Sequence, residues 1–215
     1  RHALSLMQQV AVNLSIGFDD NQMRSVNGPP GTGKTTLLKD IFAQLVVQQA
    51  YDIAKLSGYF IKGTEKTIYY NSASIGELPK CITENNIVVA SSNNGAVQNI
   101  VNELPLIKEI DNSLIEELKE ADYFREISNA KISVEWIEDE NGNKRAELRK
   151  ESVPGEEKFW GVFSLEGGKA DNMTNILTNI KHIHKYLDDE YLPDQDIYKQ
   201  FLKHYEEVKA IQAKI

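Results

Sequence analysis

The stretch from Gly28 to Thr35 constrains the fold of this chain more than any other feature. It has the order Gly-Pro-Pro-Gly-Thr-Gly-Lys-Thr and fits the pattern G-x-x-x-x-G-K-[ST] at every defined position. Met23–Val26 before it predicts a short strand, and Lys34–Gln49 after it predicts a helix with one apolar face. In that context backbone N–H groups and a helix N-terminus surround a phosphate. The sequence therefore predicts a phosphate-binding loop.

The residue types of the loop indicate how it would hold a nucleoside triphosphate. We expect Lys34 to reach the β and γ phosphates and the Thr35 hydroxyl to ligate Mg²⁺, which makes these two the catalytic candidates. Upstream, the amide of Gln8 carries the donor and the acceptor that an adenine edge requires, although an exposed polar residue on a helix is the simpler interpretation from chemistry alone. The predicted set for ATP comprises Gln8, Gly28, Pro29, Pro30, Gly31, Thr32, Gly33, Lys34, Thr35 and Thr36.

Alternating elements around the loop predict an α/β domain over residues 1–105. Ala3–Ile16 has the apolar spacing of a helix with one buried face. Lys66–Tyr70 and Ile87–Ala90 are short apolar runs typical of buried parallel strands. Asn94–Leu104 predicts a helix that Pro105 ends. Such an order favours a parallel sheet with helices on both faces.

Residues 106–215 differ in character and predict an inserted subdomain. Lys131–Glu138 and Lys144–Val153 flank an Asn-Gly pair, which is a strong β-hairpin signal. Phe159–Leu165 is a candidate for a further strand. Three helices are predicted, over Asn112–Ala121, Asn172–Leu187 and Asp196–Ile215. Because the last helix has no cap and the first residue is Arg1, we expect a piece of a longer protein.

Composition excludes several classes of protein and partner. No apolar run is long enough to cross a membrane, and one cysteine, Cys81, fits a reducing, cytoplasmic setting. Residues 1–100 carry 8 basic and 7 acidic residues, whereas residues 101–215 carry 16 and 25. The second half is therefore a poor general binder of polyanions and a possible surface for a protein partner.

A third segment, Ser91–Val97, ends a predicted strand in small polar residues and opens a helix. Ser92, Asn93 and Asn94 are able to hold a phosphodiester through hydroxyl, amide and backbone N–H groups, and simple helix capping is the competing interpretation. Together with Gln8–Val12 and the loop, this segment resembles superfamily 1 helicases, in the branch that contains the nonsense-mediated-decay RNA helicase and Dna2-like helicases. The likeness covers residues 1–105. Family members usually have Ala-Pro-(Ser/Thr)-Asn where Ser91–Asn94 stands here.

The resemblance implies the first part of a RecA-like ATPase domain of a helicase or translocase. It implies that Gln8 contacts adenine and that Ser92, Asn93 and Asn94 contact single-stranded DNA or RNA in the parent protein. No apolar run followed by Asp-Glu is present to activate water. The nearest sequences, Val134–Glu140 and Tyr186–Glu190, have the character of a hairpin tip and a helix end. We therefore expect this chain alone not to turn ATP over.

Two other functions remain open at this stage. An AAA+-type ATPase that acts on protein shares the order of residues in the loop, but it normally shows its acidic strand within this length. A non-hydrolysing interaction module is consistent with the acidic second half. His182 and His184 lie two apart and would point about 200° apart on a helix, so they predict no shared metal site.

Overall fold

The computed structural model of the chain describes residues 4–16, 23, 25–29, 31–56, 65–67, 74–92, 94–121, 123–138, 140, 142–152, 158–192 and 194–214. These residues form two compact units, one from His2–Val88 with Pro193–Ile215 and the other from Val89–Leu192. The elements in chain order are α1 (Leu6–Ile16), α2 (Lys34–Ala54), β1 (Glu65–Thr67), β2 (Ser74–Gly76), α3 (Lys80–Thr83), α4 (Asn94–Glu103), α5 (Ile115–Ala121), α6 (Arg125–Asn129), β3 (Ala130–Glu138), β4 (Lys144–Ser152), α7 (Ala170–Asp189) and α8 (Gln195–Gln212).

The first unit is organised around α2. This helix buries Leu37 and Phe42. It contacts α1, α3 and α8. The Tyr51 and Tyr205 rings stack with centroids 4.3 Å apart and join α2 to α8. Gln49 donates from Nε2 to the Ile82 carbonyl oxygen at 2.8 Å, which ties α3 to the same helix.

In the second unit the side chain of Asn129, at the end of α6, ties two backbone segments together. Its Nδ2 donates to the Phe159 carbonyl oxygen at 2.8 Å, and its Oδ1 accepts from the N–H groups of Lys158 and Phe159 at 2.9 and 3.0 Å. Leu106 and Ile127 are buried in the same unit. Leu106 also forms an isolated antiparallel bridge with Phe159. Asn129 therefore holds residues 158–159 in place by hydrogen bonds that only an amide of this length supplies.

The hairpin prediction is confirmed. β3 and β4 pair antiparallel from Ala130 opposite Ser152 to Glu138 opposite Lys144. Gly142 has a φ of 78°, a left-handed conformation that the tight turn requires and that glycine adopts without strain. The helix predictions are also confirmed in position, since α1, α2, α4, α7 and α8 lie where the apolar spacing placed them. Residues 112–114 of the predicted acidic helix form a 3-10 turn before α5.

The structure differs from the prediction of a parallel sheet. Residues 65–67 pair antiparallel with 74–76, and residues 68–70 lie outside the described part of the chain. Ile87–Ala90 and the described residues of Met23–Val26 are unpaired, with Val88 90% and Met23 100% exposed. A strand persists only where a neighbouring strand receives its backbone hydrogen bonds, and no described residue offers one to these segments. Phe159–Leu165 likewise forms a single bridge and no strand.

Candidate functional site

The loop before α2 turns sharply because two of its glycines have positive φ. Gly31 has a φ of 81° and Gly33 a φ of 77°, and α2 begins at Lys34 directly after Gly33. The first bond of the helix runs from the Leu37 N–H to the Gly33 carbonyl oxygen at 3.0 Å. No side chain caps this helix start, so the N–H groups of its first turn have no partner within the helix. An uncapped helix N-terminus of this kind attracts an anion.

The ammonium group of Lys34 lies against the beginning of the loop. Its Nζ donates to the carbonyl oxygens of Gly28 and Pro29 at 2.7 and 2.8 Å. The Thr32 hydroxyl also donates to the Pro29 carbonyl oxygen at 2.8 Å. These hydrogen bonds fold the loop around the ammonium group of Lys34, which the sequence predicts to bind phosphate. A phosphate that enters the loop competes with two carbonyl oxygens for Lys34, and a charged acceptor forms the stronger hydrogen bond.

Gln8, which the sequence predicts for the adenine contact, lies directly beside the loop through a hydrogen bond that the sequence did not predict. The Gln8 Nε2 donates to the Thr32 carbonyl oxygen at 3.1 Å. Its Oε1 accepts from the Ser5 N–H at 2.9 Å, while the Gln8 N–H donates to Ser5 Oγ at 3.4 Å. Ser5 and Gln8 thus form a capping box at the start of α1. A Cβ on Gly33 would contact the Gln8 amide nitrogen, so a glycine is required there for this close approach as well.

A cavity of about 790 Å³ lies between α1 and the loop. Its volume is within the range of about 300–1,000 Å³ that is typical of small-molecule sites. Met7, Ala11, Leu14 and Leu37 supply apolar surface, and Gln8 and the loop supply polar groups. Of the described residues that line the cavity, Lys34 alone is charged at neutral pH. The cavity therefore combines an apolar wall with a cation beside a helix N-terminus.

The remaining loop residues are placed as follows. Thr35 is exposed and Thr36 is half-buried in the first turn of α2, next to Lys34. Pro30 lies outside the described residues. The structure therefore brings Gln8, Gly28, Pro29, Gly31, Thr32, Gly33, Lys34, Thr35 and Thr36 into one region.

The segment predicted to contact nucleic acid belongs to the other compact unit. Ser92 is exposed, and Asn94 is the first residue of α4. Asn93 lies outside the described residues. The backbone of Asn94 thus opens a helix, as the sequence predicted, whereas a contact with a nucleic-acid backbone stays a prediction.

The acidic sequences closest to a water-activating motif have other positions. Glu135 and Glu138 are exposed on β3, and Asp139 lies outside the described residues. Asp188 lies in the last turn of α7 and pairs with His184, Oδ2 to Nδ1, at 2.8 Å. In the described part of the chain no group of three or more His, Cys, Asp or Glu side chains has the arrangement of a metal site. None of the helices within that part has the length and apolarity that a membrane span requires.

The loop, the uncapped start of α2 and the cavity beside α1 define a class of protein, namely a P-loop nucleotide-binding domain. The family model of the AAA domain matches residues 4–152, which is more than half of the chain. The chain therefore belongs to this family, whose domain occurs in superfamily 1 helicase-like proteins and has the P-loop fold. No curated protein and no solved structure matches the chain.

Proposed function

We propose that the chain binds ATP with Mg²⁺ at the loop of residues 28–36, within an ATP-dependent helicase or translocase. The observation that carries the proposal is the position of Lys34, whose ammonium group lies inside the curl of the loop at the uncapped start of α2. Lys34 would hold the β and γ phosphates. The hydroxyl of Thr35 would ligate Mg²⁺, and that of Thr36 lies on the same turn for the α phosphate.

Gln8 is the proposed contact for adenine. Its amide oxygen accepts from Ser5 and its amide nitrogen donates to Thr32. Both bonds lie at the exposed surface, where exchange for another partner costs little free energy. The apolar side chains along α1 would then cover the base. In this proposal the Gln8 side chain couples nucleotide binding to the contact between α1 and the loop, because the same amide serves both.

The proposal also includes a parallel sheet and a contact with nucleic acid. Val26, just before the loop, and Val88, a few residues before α4, are exposed apolar residues that a parallel sheet would cover. Ser92, Asn93 and Asn94 would hold the backbone of single-stranded DNA or RNA through neutral donors. The acidic excess of residues 101–215 confines such a contact to local features of the first half.

ATP hydrolysis requires an acidic group beside the bound phosphates. The described residues that line the cavity include no Asp or Glu. We therefore expect binding without turnover from this chain, with hydrolysis in the parent helicase. An AAA+-type ATPase that acts on protein is the alternative that turnover would favour.

A fluorescent ATP analogue, N-methylanthraniloyl-ATP, titrated into the chain with Mg²⁺ tests the proposal. Lys34→Ala is expected to weaken binding at least about tenfold, because it removes a charged hydrogen-bond donor worth about 1.5–3 kcal/mol. Lys55→Ala is the matched control, since Lys55 caps the other end of α2 and lies over the Tyr51 ring at 4.8 Å. Equal weakening by the two variants, or no binding by the unsubstituted chain, would overturn the proposal.

ATP turnover with and without single-stranded DNA or RNA separates the alternatives. We expect no turnover above that of Lys34→Ala. Turnover that nucleic acid stimulates would keep the helicase assignment and show that an acidic group is present after all. Turnover that Lys34→Ala abolishes and nucleic acid leaves unchanged would favour the AAA+ alternative.

A further inference from the structure

A second cavity, of about 240 Å³, lies within the unit of residues 89–192. It far exceeds the roughly 10–15 Å³ that one water needs. One side is formed by α7 and another by residues 161–166, which belong to no helix or strand. We call this cavity the α7 slot. The proposed nucleotide site uses none of the residues that line it.

Asparagines on one face of α7 line the slot. Asn172, Asn175 and Asn179 follow the i, i+3, i+7 spacing that brings side chains to the same side of a helix. Asn102 of α4 also lines the slot. In the described part of the chain none of these four amides has a hydrogen-bond partner. Each amide therefore presents two donors and one acceptor oxygen to whatever enters the slot.

Residues 163–166, which line the slot together with these asparagines, have an unpaired backbone. The Val162 N–H, just before these residues, donates to the Tyr123 carbonyl oxygen at 3.1 Å. From Phe163 to Glu166 no hydrogen bond joins the backbone to another described residue. The Ser164 Oγ is inaccessible to solvent and has no partner either. Residues 163–166 are half-buried or exposed, so their unpaired backbone groups are able to form hydrogen bonds with a ligand that supplies donors and acceptors in alternation.

The charge of the slot and of its unit indicates which kind of ligand the slot favours. Glu166 is half-buried and is the one ionisable side chain among the described residues that line the slot. Residues 89–192 carry 12 basic and 21 acidic residues. Phosphate groups are therefore repelled, and a cationic group gains from the unpaired carboxylate.

We propose that the α7 slot binds an extended, basic peptide segment of a partner protein. The peptide backbone pairs with the unpaired backbone of residues 163–166, so that the two form a short pair of strands in the complex. The amides of Asn172, Asn175 and Asn179 hold its other edge, and a Lys or Arg side chain meets Glu166. Phe159 and Ile176 supply apolar contact within the slot.

Selection from a library of random peptides displayed on phage, with the full chain as bait, tests this inference. We expect enriched sequences that contain Lys or Arg. Fluorescence anisotropy with a labelled synthetic copy should show about fivefold weaker binding to Asn175→Ala, which loses one hydrogen bond to the peptide. Glu166→Gln should weaken binding most at low salt. Asn99→Ala, an exposed asparagine of α4 that does not line the slot, is the matched control.

Three results would overturn the inference. The first is a selection without enrichment, or with acidic or uncharged sequences. The second is equal binding of the peptide by Asn175→Ala and Asn99→Ala. The third is binding of labelled oligo(dT) or oligo(rA) that Asn175→Ala abolishes, because the slot would then bind nucleic acid. Failure of nucleotide binding at the loop would not bear on any of these outcomes.

Discussion

Substitution of Gln8 by alanine should loosen the phosphate loop, and the adjacent residue provides the control. Gln8→Ala removes the bond from Nε2 to the Thr32 carbonyl oxygen and one half of the capping box with Ser5. Gln9→Ala removes a bond of similar length, 2.8 Å, from Gln9 Nε2 to the carbonyl oxygen of Leu4, which precedes α1 and does not line the cavity beside the loop. Both variants lose a hydrogen bond from a side-chain amide to a backbone carbonyl oxygen, and Gln8→Ala also loses the bond from the Ser5 N–H. Only Gln8→Ala loses a contact with the loop.

The size of the effect follows from the exposure of the lost bond. A net hydrogen bond contributes about 1 kcal/mol, and an exposed one contributes about 0.5–1 kcal/mol. Loss of about 0.5–1 kcal/mol raises the population of molecules with an open loop by roughly two- to fivefold. Hydrogen exchange followed by mass spectrometry should therefore show faster exchange over residues 28–37 in Gln8→Ala, with Gln9→Ala close to the unsubstituted chain. Equal exchange of these residues in the two variants would refute the coupling of α1 to the loop.

Two further substitutions test local features of the structure. Gly33→Ala should cost about 1–2 kcal/mol of unfolding free energy for its left-handed φ and should also displace Gln8, whereas Gly31→Ala, with a similar φ and open space around its Cβ, should cost the backbone strain alone. Equal urea midpoints and equal nucleotide affinity for the two would contradict this. Asn129→Ala should lower stability by about 2–3 kcal/mol in urea unfolding, because it leaves backbone groups of residues 158–159 without partners. Asn99→Ala should change it little, and a comparable loss there would count against the account.

The loop and the hairpin were predictable because their chemistry is local. A glycine pattern before a helix and an Asn-Gly pair between alternating runs specify backbone conformations within a few residues. The positive φ values of Gly33 and Gly142 are the direct result. The helices followed in the same way from apolar spacing, and only the first turn of α5 took the tighter 3-10 form.

Contacts between distant residues were not predictable from single residues. The bond from Gln8 to Thr32 joins residues 24 apart, and those of Asn129 reach 30 residues along the chain. The sequence signal for Gln8 was nevertheless present, since Ser5 and Gln8 have the spacing of a capping box. The strands predicted at Met23–Val26 and Ile87–Ala90 are apolar enough for a sheet. Pairing depends on neighbours, however, and apolar composition alone does not specify them.

The measurement that tests the central claim most directly is a titration of the isotopically labelled chain with Mg²⁺-ATP, followed by backbone amide resonances. The account predicts shifts concentrated in Gly31, Gly33 and Lys34, where the loop meets the uncapped start of α2, with a smaller change at Gln8. The same shifts should be absent in Lys34→Ala at equal concentrations. Shifts confined to other residues, or a loop that does not respond to ATP, would contradict the assignment of this chain as a nucleotide-binding domain.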